Sequence, residues 1–179
     1  MDRSTTTPAA AEWRQHTIHF PTPDQAAQVG TEVLGPALDA ATTAGDLATW
    51  WFMRKHPTWR VRYQTHQPDS TAISDLLDKL AAQDTITGWT PGIYEPETRA
   101  FGGDAGMQIA HQLFHADSHH LLTRLRATGP GPAGPVLGVV ETSVVLCSVL
   151  LRSAGLDWYE QGDVWAQVAA LRPPAVPAS

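Results

Sequence analysis

The chain has little cysteine, little lysine and no long hydrophobic run. Cys147 is the single cysteine, so no internal disulfide can form, and a reducing compartment, the cytoplasm, is expected. Cys147 sits in VVLCSVLL, a string that predicts a small core residue rather than a nucleophile. Lysine occurs only at Lys55 and Lys79, and 18 acidic against 12 basic residues give a formal charge of −6. That balance excludes the basic surface on which non-specific nucleic-acid binding depends. The longest apolar stretch, 136–151, is broken by Gly138, Glu141, Thr142, Ser143 and Ser148. It falls short of the roughly 20 apolar residues of a membrane span. The opening string MDRSTTTPAAAE has no apolar targeting region. No Walker or Rossmann glycine fingerprint and no nucleophile elbow is present, so nothing implies a nucleotide, a flavin or a covalent mechanism.

What is there is a globular composition. The 179 residues are 42% hydrophobic and include seven tryptophans, enough for a core of their own. The strand-like string WRQHTIHF (13–20) precedes a helical pattern over 24–44, which Gly35–Pro36 should kink or split. Residues 50–55 and 59–65 read as a hairpin joined at His56–Pro57. Asp69–Ser70 can cap a helix over 71–83, and 85–94 returns to strand composition. The order strand, helix, strand, strand, helix, strand predicts an α+β, ferredoxin-like βαββαβ antiparallel sheet. Both helices should lie on one face and leave the other free. A long helix over 104–126 and two more near 136–154 and 160–171 form a C-terminal helical extension. The expected organisation is a disordered lead-in over 1–11 and a single domain over 12–172. Within it, an α+β core (12–95) precedes a helical part (103–172) with a flexible linker at 127–135, and a loose tail follows at 173–179.

The chemistry concentrates in two places. In the hairpin, Arg60 and Arg62 are two apart and share a strand face, with Trp59, Val61 and Tyr63 on the other. The guanidinium fork suits a carboxylate or phosphate, although a solvated face of ion pairs would read the same. Arg54 joins this cluster or sits opposite, depending on register. The second place is IYEPETRAFGGDAGMQIAHQLFHADS (93–118). Here Tyr94 and Glu97 precede Arg99 and a double glycine; a carboxylate beside arginines is better suited to position them than to act as a base. His111 and His115 share a helix face at i,i+4, a spacing also used by metal ligands. Gln112 stands where the zinc-protease pattern needs a glutamate, so no metal is expected and the histidines are better read as lining a cleft or as structural. Asp117 and Ser118 close the stretch and can cap or pair with arginine.

Four strings in order, WWFMRKHPTWRVR, YEPETRAFGG, AHQLFHADS and GLDWYEQGDVWAQVAALR, resemble the thiopeptide-type bacteriocin biosynthesis domain, which is also the C-terminal domain of lantibiotic dehydratases. The resemblance spans 13–172. It implies an enzyme of ribosomal-peptide maturation that binds a precursor peptide, leader and core, and needs no metal or organic cofactor. One implied reaction eliminates glutamate from glutamylated Ser/Thr, with a separate glutamylating dehydratase as partner. Another joins two dehydroalanines in a [4+2] cycloaddition, and a third role is non-catalytic presentation of the precursor. For a catalytic cleft, Arg60, Arg62, Arg99 and His115 are the expected catalytic groups, and Arg54, Tyr94, Glu97, His111, Asp117 and Ser118 the expected substrate contacts. Ala100-Phe101-Gly102-Gly103 stands where eliminating members carry Arg-Tyr-Gly-Gly. A free sheet face would also allow a homodimer.

Overall fold

A computed structural model describes residues 12–55, 57–67, 69–127 and 138–171, with the side chain of Val139 left aside. The expected lead-in, the linker, the tail and the turn residue His56 therefore lie, wholly or almost wholly, outside the described residues. The chain divides into two compact units at Gly129/Pro130. Among the described residues no helix is long and apolar enough to cross a membrane.

The first unit is the α+β sheet unit. Its elements are β1 (Trp13–His19), α1 (Pro23–Val29), α2 (Gly35–Ala44), β2 (Leu47–Lys55), β3 (Thr58–Thr65), α3 (Ala72–Ala82), β4 (Gly88–Gly92) and α4 (Asp104–Ala127). The four strands form one antiparallel sheet in the order β2-β3-β1-β4, the split βαβ arrangement.

Local chemistry explains most of the boundaries. Thr22 is extended and its hydroxyl accepts the Gln25 N–H, while Pro23 starts α1 where no donor is needed. Pro36 cannot donate to the carbonyl four residues back. The chain answers with a π-helical turn over Gly30–Leu34, where the Gly35 N–H reaches Gly30 O, and α2 follows. Gly30 also backs onto the Trp59 ring so closely that a Cβ would overlap it. Gly45, at φ 82°, closes α2 in the left-handed conformation. The expected cap for α3 is not used. Thr71 precedes the helix without a capping bond from its side chain, and the Ser70 carbonyl instead accepts from Arg14. β4 is shorter than the strand composition suggests. Pro91 sits on it at the sheet edge, where its missing N–H costs no ladder bond.

The core fills one face of the sheet. Ile18, Trp50, Trp59, Val61 and Tyr63 pack against Val29, Leu34 and Leu38 from the first helical segment and Leu77 and Leu80 from α3. Leu122 of α4 reaches the same cluster. The opposite face is not free. Trp51 and Gln15 point there, yet they are only 4% and 8% exposed, because the chain after β4 and the first half of α4 fold back over them.

α4 also closes the sheet edge. β2 is the outer strand, so Trp50 C=O and Phe52 N–H have no strand partner there. His115 Nδ1 lies 2.8 Å from Trp50 O, and Ser118 Oγ accepts from Phe52 N at 3.1 Å. A carbonyl can only accept, so the His115 proton sits on Nδ1. The edge is protected by two side chains of a covering helix.

The second unit is a helical pair, α5 (Val139–Ser153) and α6 (Trp158–Ala170). Asp157 and Glu160 form a reciprocal capping box at the start of α6, with bonds of 2.9 and 2.8 Å. Cys147 is exposed on α5, not buried as its apolar neighbours suggest. That helix is apolar nearly all round, so composition alone does not select its inner face.

Candidate active site

The site grows from one row of the sheet. Strand pairing aligns Gly92 with Gln15, Gln15 with Arg62, and Arg62 with Trp51, across β4, β1, β3 and β2. All four project from the face away from the core, since Val61 and Tyr63, the neighbours of Arg62, are buried among the helices. Gln15 Oε1 accepts from Arg62 Nε at 2.7 Å and fixes the guanidinium plane. That plane is held between two rings: its carbon lies 4.5 Å from the centroid of Trp51 and 4.3 Å from that of Tyr94. Gly92 makes room for this row, because a Cβ there would stand 2.7 Å from Gln15 Nε2.

Tyr94 connects the arginine to α4. Its hydroxyl lies 2.8 Å from His111 Nε2, and Trp13 stacks on the His111 ring at 4.3 Å. Phe114, one turn on, packs on Trp51 at 4.7 Å and meets Phe101 at 5.9 Å. Two rings cover the faces of the guanidinium, and its terminal N–H fork has no carboxylate partner among the described residues.

Electrostatics follow from this packing. Burial lowers the Arg62 pKa from its ordinary value; Tyr94 and Glu97 pull it up and Arg60 pushes it down. Burial lowers His111, and the Arg62 charge lowers it further, so the imidazole is neutral at pH 7. Burial raises Tyr94, Arg62 opposes and Glu97 assists, so the phenol keeps its proton. A protonated phenol, a neutral imidazole and an unpaired guanidinium fork therefore meet within one cluster.

The structure brings together part of the expected residue set. Arg60 and Arg62 share the outer face, with Arg60 opposite Thr17 and Met53. Tyr94 packs on Arg62, His111 joins through the Tyr94 hydroxyl, and Glu97 acts on Arg62 and Tyr94 through its charge. Arg54 pairs with Trp59 and lies on the opposite face, beside Pro23 and Ala26. Arg99 is exposed in the turn that leads to α4. His115 and Ser118 are engaged with the β2 edge, and Asp117 is exposed between them. Trp13, Gln15, Trp51 and Phe114 are site residues that sequence reasoning passed over. Lys55 pairs with Thr58, and counting back from that pair would have put Trp51 opposite Arg62.

Beside the cluster lies a cleft of about 650 Å³ between the start of β2, the end of β3 and the first half of α4. Trp13 and His111 form its shared wall with the cluster; Thr49, Thr98, Asp104, Gln108 and Gln112 also line it. Among the described residues no three His, Cys, Asp or Glu side chains gather as a metal cage.

A family model described as "Lantibiotic biosynthesis dehydratase C-term" matches residues 13–174. No curated protein matches the chain. Among the solved structures that resemble it, two share 23% identity with the chain. TsrL aligns with a TM-score of 0.53 over 69% of this chain and 37% of its own. The tRNA-dependent lantibiotic dehydratase MibB from Microbispora sp. 107891 aligns at 0.54 over 72% of this chain and 13% of its own. The chain thus spans well under half the length of either structure, and at this identity the likeness establishes the fold.

Proposed function

Because the chain belongs to the lantibiotic biosynthesis dehydratase C-terminal family, we propose that it matures a ribosomally made precursor peptide by eliminating glutamate from glutamylated Ser or Thr. The observation that carries this reading is the Arg62 fork, held between Trp51 and Tyr94 and, among the described residues, without a carboxylate partner. In the elimination, a base takes the Cα proton, the electron pair forms the Cα–Cβ double bond, and the Cβ–O bond breaks to release a carboxylate. Neutral His111 is the base, and its contact with the Tyr94 hydroxyl gives the proton a path. The Arg62 fork receives the departing carboxylate bidentately, a site poised for charge that develops in the transition state. Arg60, on the same face, adds a second positive charge. Ala100 supplies no arginine at the turn, so in this chain the hairpin arginines carry that task.

The reaction is redox-neutral and asks for no organic cofactor or metal. Its substrate is supplied by a glutamylation step in the same compartment, which we take to be the cytoplasm. A second reading, pyridine-forming [4+2] cycloaddition of dehydroalanines, is favoured by the Tyr94–His111 proton pair and the Ala100-Phe101 turn.

The test is incubation with a glutamylated precursor peptide, read by mass spectrometry. Loss of glutamate is expected. Arg62→Lys keeps the charge but loses the fork and its sandwich, and should lower kcat/KM by about 10²-fold. No mass change with measurable peptide binding would point to a presenting module instead.

A further inference from the structure

The cleft beside the cluster has a one-sided chemistry. From α4 it receives Asp104, Gln108 and Gln112, which stand at i, i+4 and i+8 and so form one stripe of the helix. All three are exposed, and among the described residues neither glutamine amide has a hydrogen-bond partner. Asp104 is the single charged group of the lining. A helix rises about 6 Å over four residues. An extended peptide advances about 6.6 Å over two. The two repeats match closely enough for Gln108 and Gln112 to meet alternate peptide units of one strand.

We infer that this stripe holds the substrate in extended form: the Gln108 and Gln112 side chains bond its backbone, and Asp104 selects a cationic side chain at a fixed distance from the reacting residue. The inference rests on the elimination reading for the location of the reacting residue at His111. From His111 to Asp104 is seven residues, about 10.5 Å along the helix, or roughly three residues of extended peptide. The side chain that Asp104 reads is therefore the third from the reacting one. An acidic residue in the first turn also suits the helix dipole, but that role alone would give no dependence on peptide sequence.

The experiment measures binding of labelled peptides by fluorescence anisotropy at low salt. Alanine replaces the reacting Ser/Thr, so no turnover is involved. Lys, Ala or Glu is placed at the third residue on either side. On one side Lys should bind about fivefold tighter than Glu, the scale of a single exposed charge pair. Asp104→Lys should invert that order. The Gln108→Ala/Gln112→Ala double variant should weaken all peptides by about tenfold and leave the order intact. A preference that survives Asp104→Lys, or none on either side, overturns the inference. If the preferences hold but glutamylated peptide is not turned over, the elimination reading fails and the docking stripe stands. If turnover occurs without them, the reverse is true.

Discussion

Replacing Ser118 by alanine removes the one hydrogen-bond partner that the Phe52 N–H has among the described residues, and the size of the effect can be worked from its surroundings. Ser118 is 2% exposed, and the bond it accepts is 3.1 Å long. An orphaned buried donor costs about 1–3 kcal/mol. For a unit of this size, about 2 kcal/mol lowers Tm by on the order of 5–10 °C. His115→Phe should orphan the Trp50 carbonyl in the same way and cost a similar amount. The two bonds anchor one helix to one strand, so the double variant should lose less than the sum. Urea unfolding gives the stabilities, and hydrogen exchange at the Phe52 amide reports the edge directly. Exchange should accelerate in Ser118→Ala while the β1–β3 amides stay protected. A loss under 0.5 kcal/mol with an unchanged Phe52 amide would refute the edge-capping argument. A His115→Phe variant of full stability that nevertheless lacked turnover would return His115 to the chemistry.

Three further outcomes follow from single positions. Burial, helped by the Arg14 charge, lowers the His16 pKa to about 4, so the folded protein binds fewer protons than the unfolded chain below about pH 6.5. Stability from this group is complete above pH 6.5, falls by roughly 2–3 kcal/mol between 6.5 and 4, and is level below; His16→Phe should flatten that limb in pH-dependent urea titrations. Gly92→Ala should displace Gln15 and tilt the Arg62 plane, cutting turnover about tenfold with little change in Tm; in a Gln15→Ala background it should cost almost nothing more, and an additive effect would contradict the row. Gly30→Ala drives a methyl into the Trp59 ring and should destabilise by about 1–3 kcal/mol in thermal melts, without shifting KM.

The hairpin shows how far the sequence reaches. Alternation over 59–65 separated Trp59, Val61 and Tyr63 from Arg60 and Arg62, because strand period is a local property. The βαββαβ order was legible for the same reason, and Gly35–Pro36 marked the break in the first helix one turn after the chain begins to widen. The row Gly92–Gln15–Arg62–Trp51 was not legible, since it needs three strand registers at once. Glu97, expected from sequence to position an arginine, is exposed and forms no ion pair with one among the described residues; its charge only raises the Arg62 pKa a little. His115 was harder. Its spacing from His111 shows a shared helix face but not the acceptor, and the Trp50 carbonyl lies 65 residues away along the chain. The covering of the outer sheet face was missed because it depends on Tyr94 and Phe114 returning to Trp51, contacts between distant segments.

Single-turnover incubation of the protein with a glutamylated precursor peptide, followed by mass spectrometry across pH 5–8, addresses the central assignment most directly. Loss of glutamate with formation of a dehydroamino acid is expected. The acid limb of kcat/KM should lie below the ordinary histidine value near 6.5, as the lowered His111 pKa requires, and should disappear in His111→Gln together with turnover. Glutamate loss that persists undiminished in both His111→Gln and Arg62→Lys would contradict it.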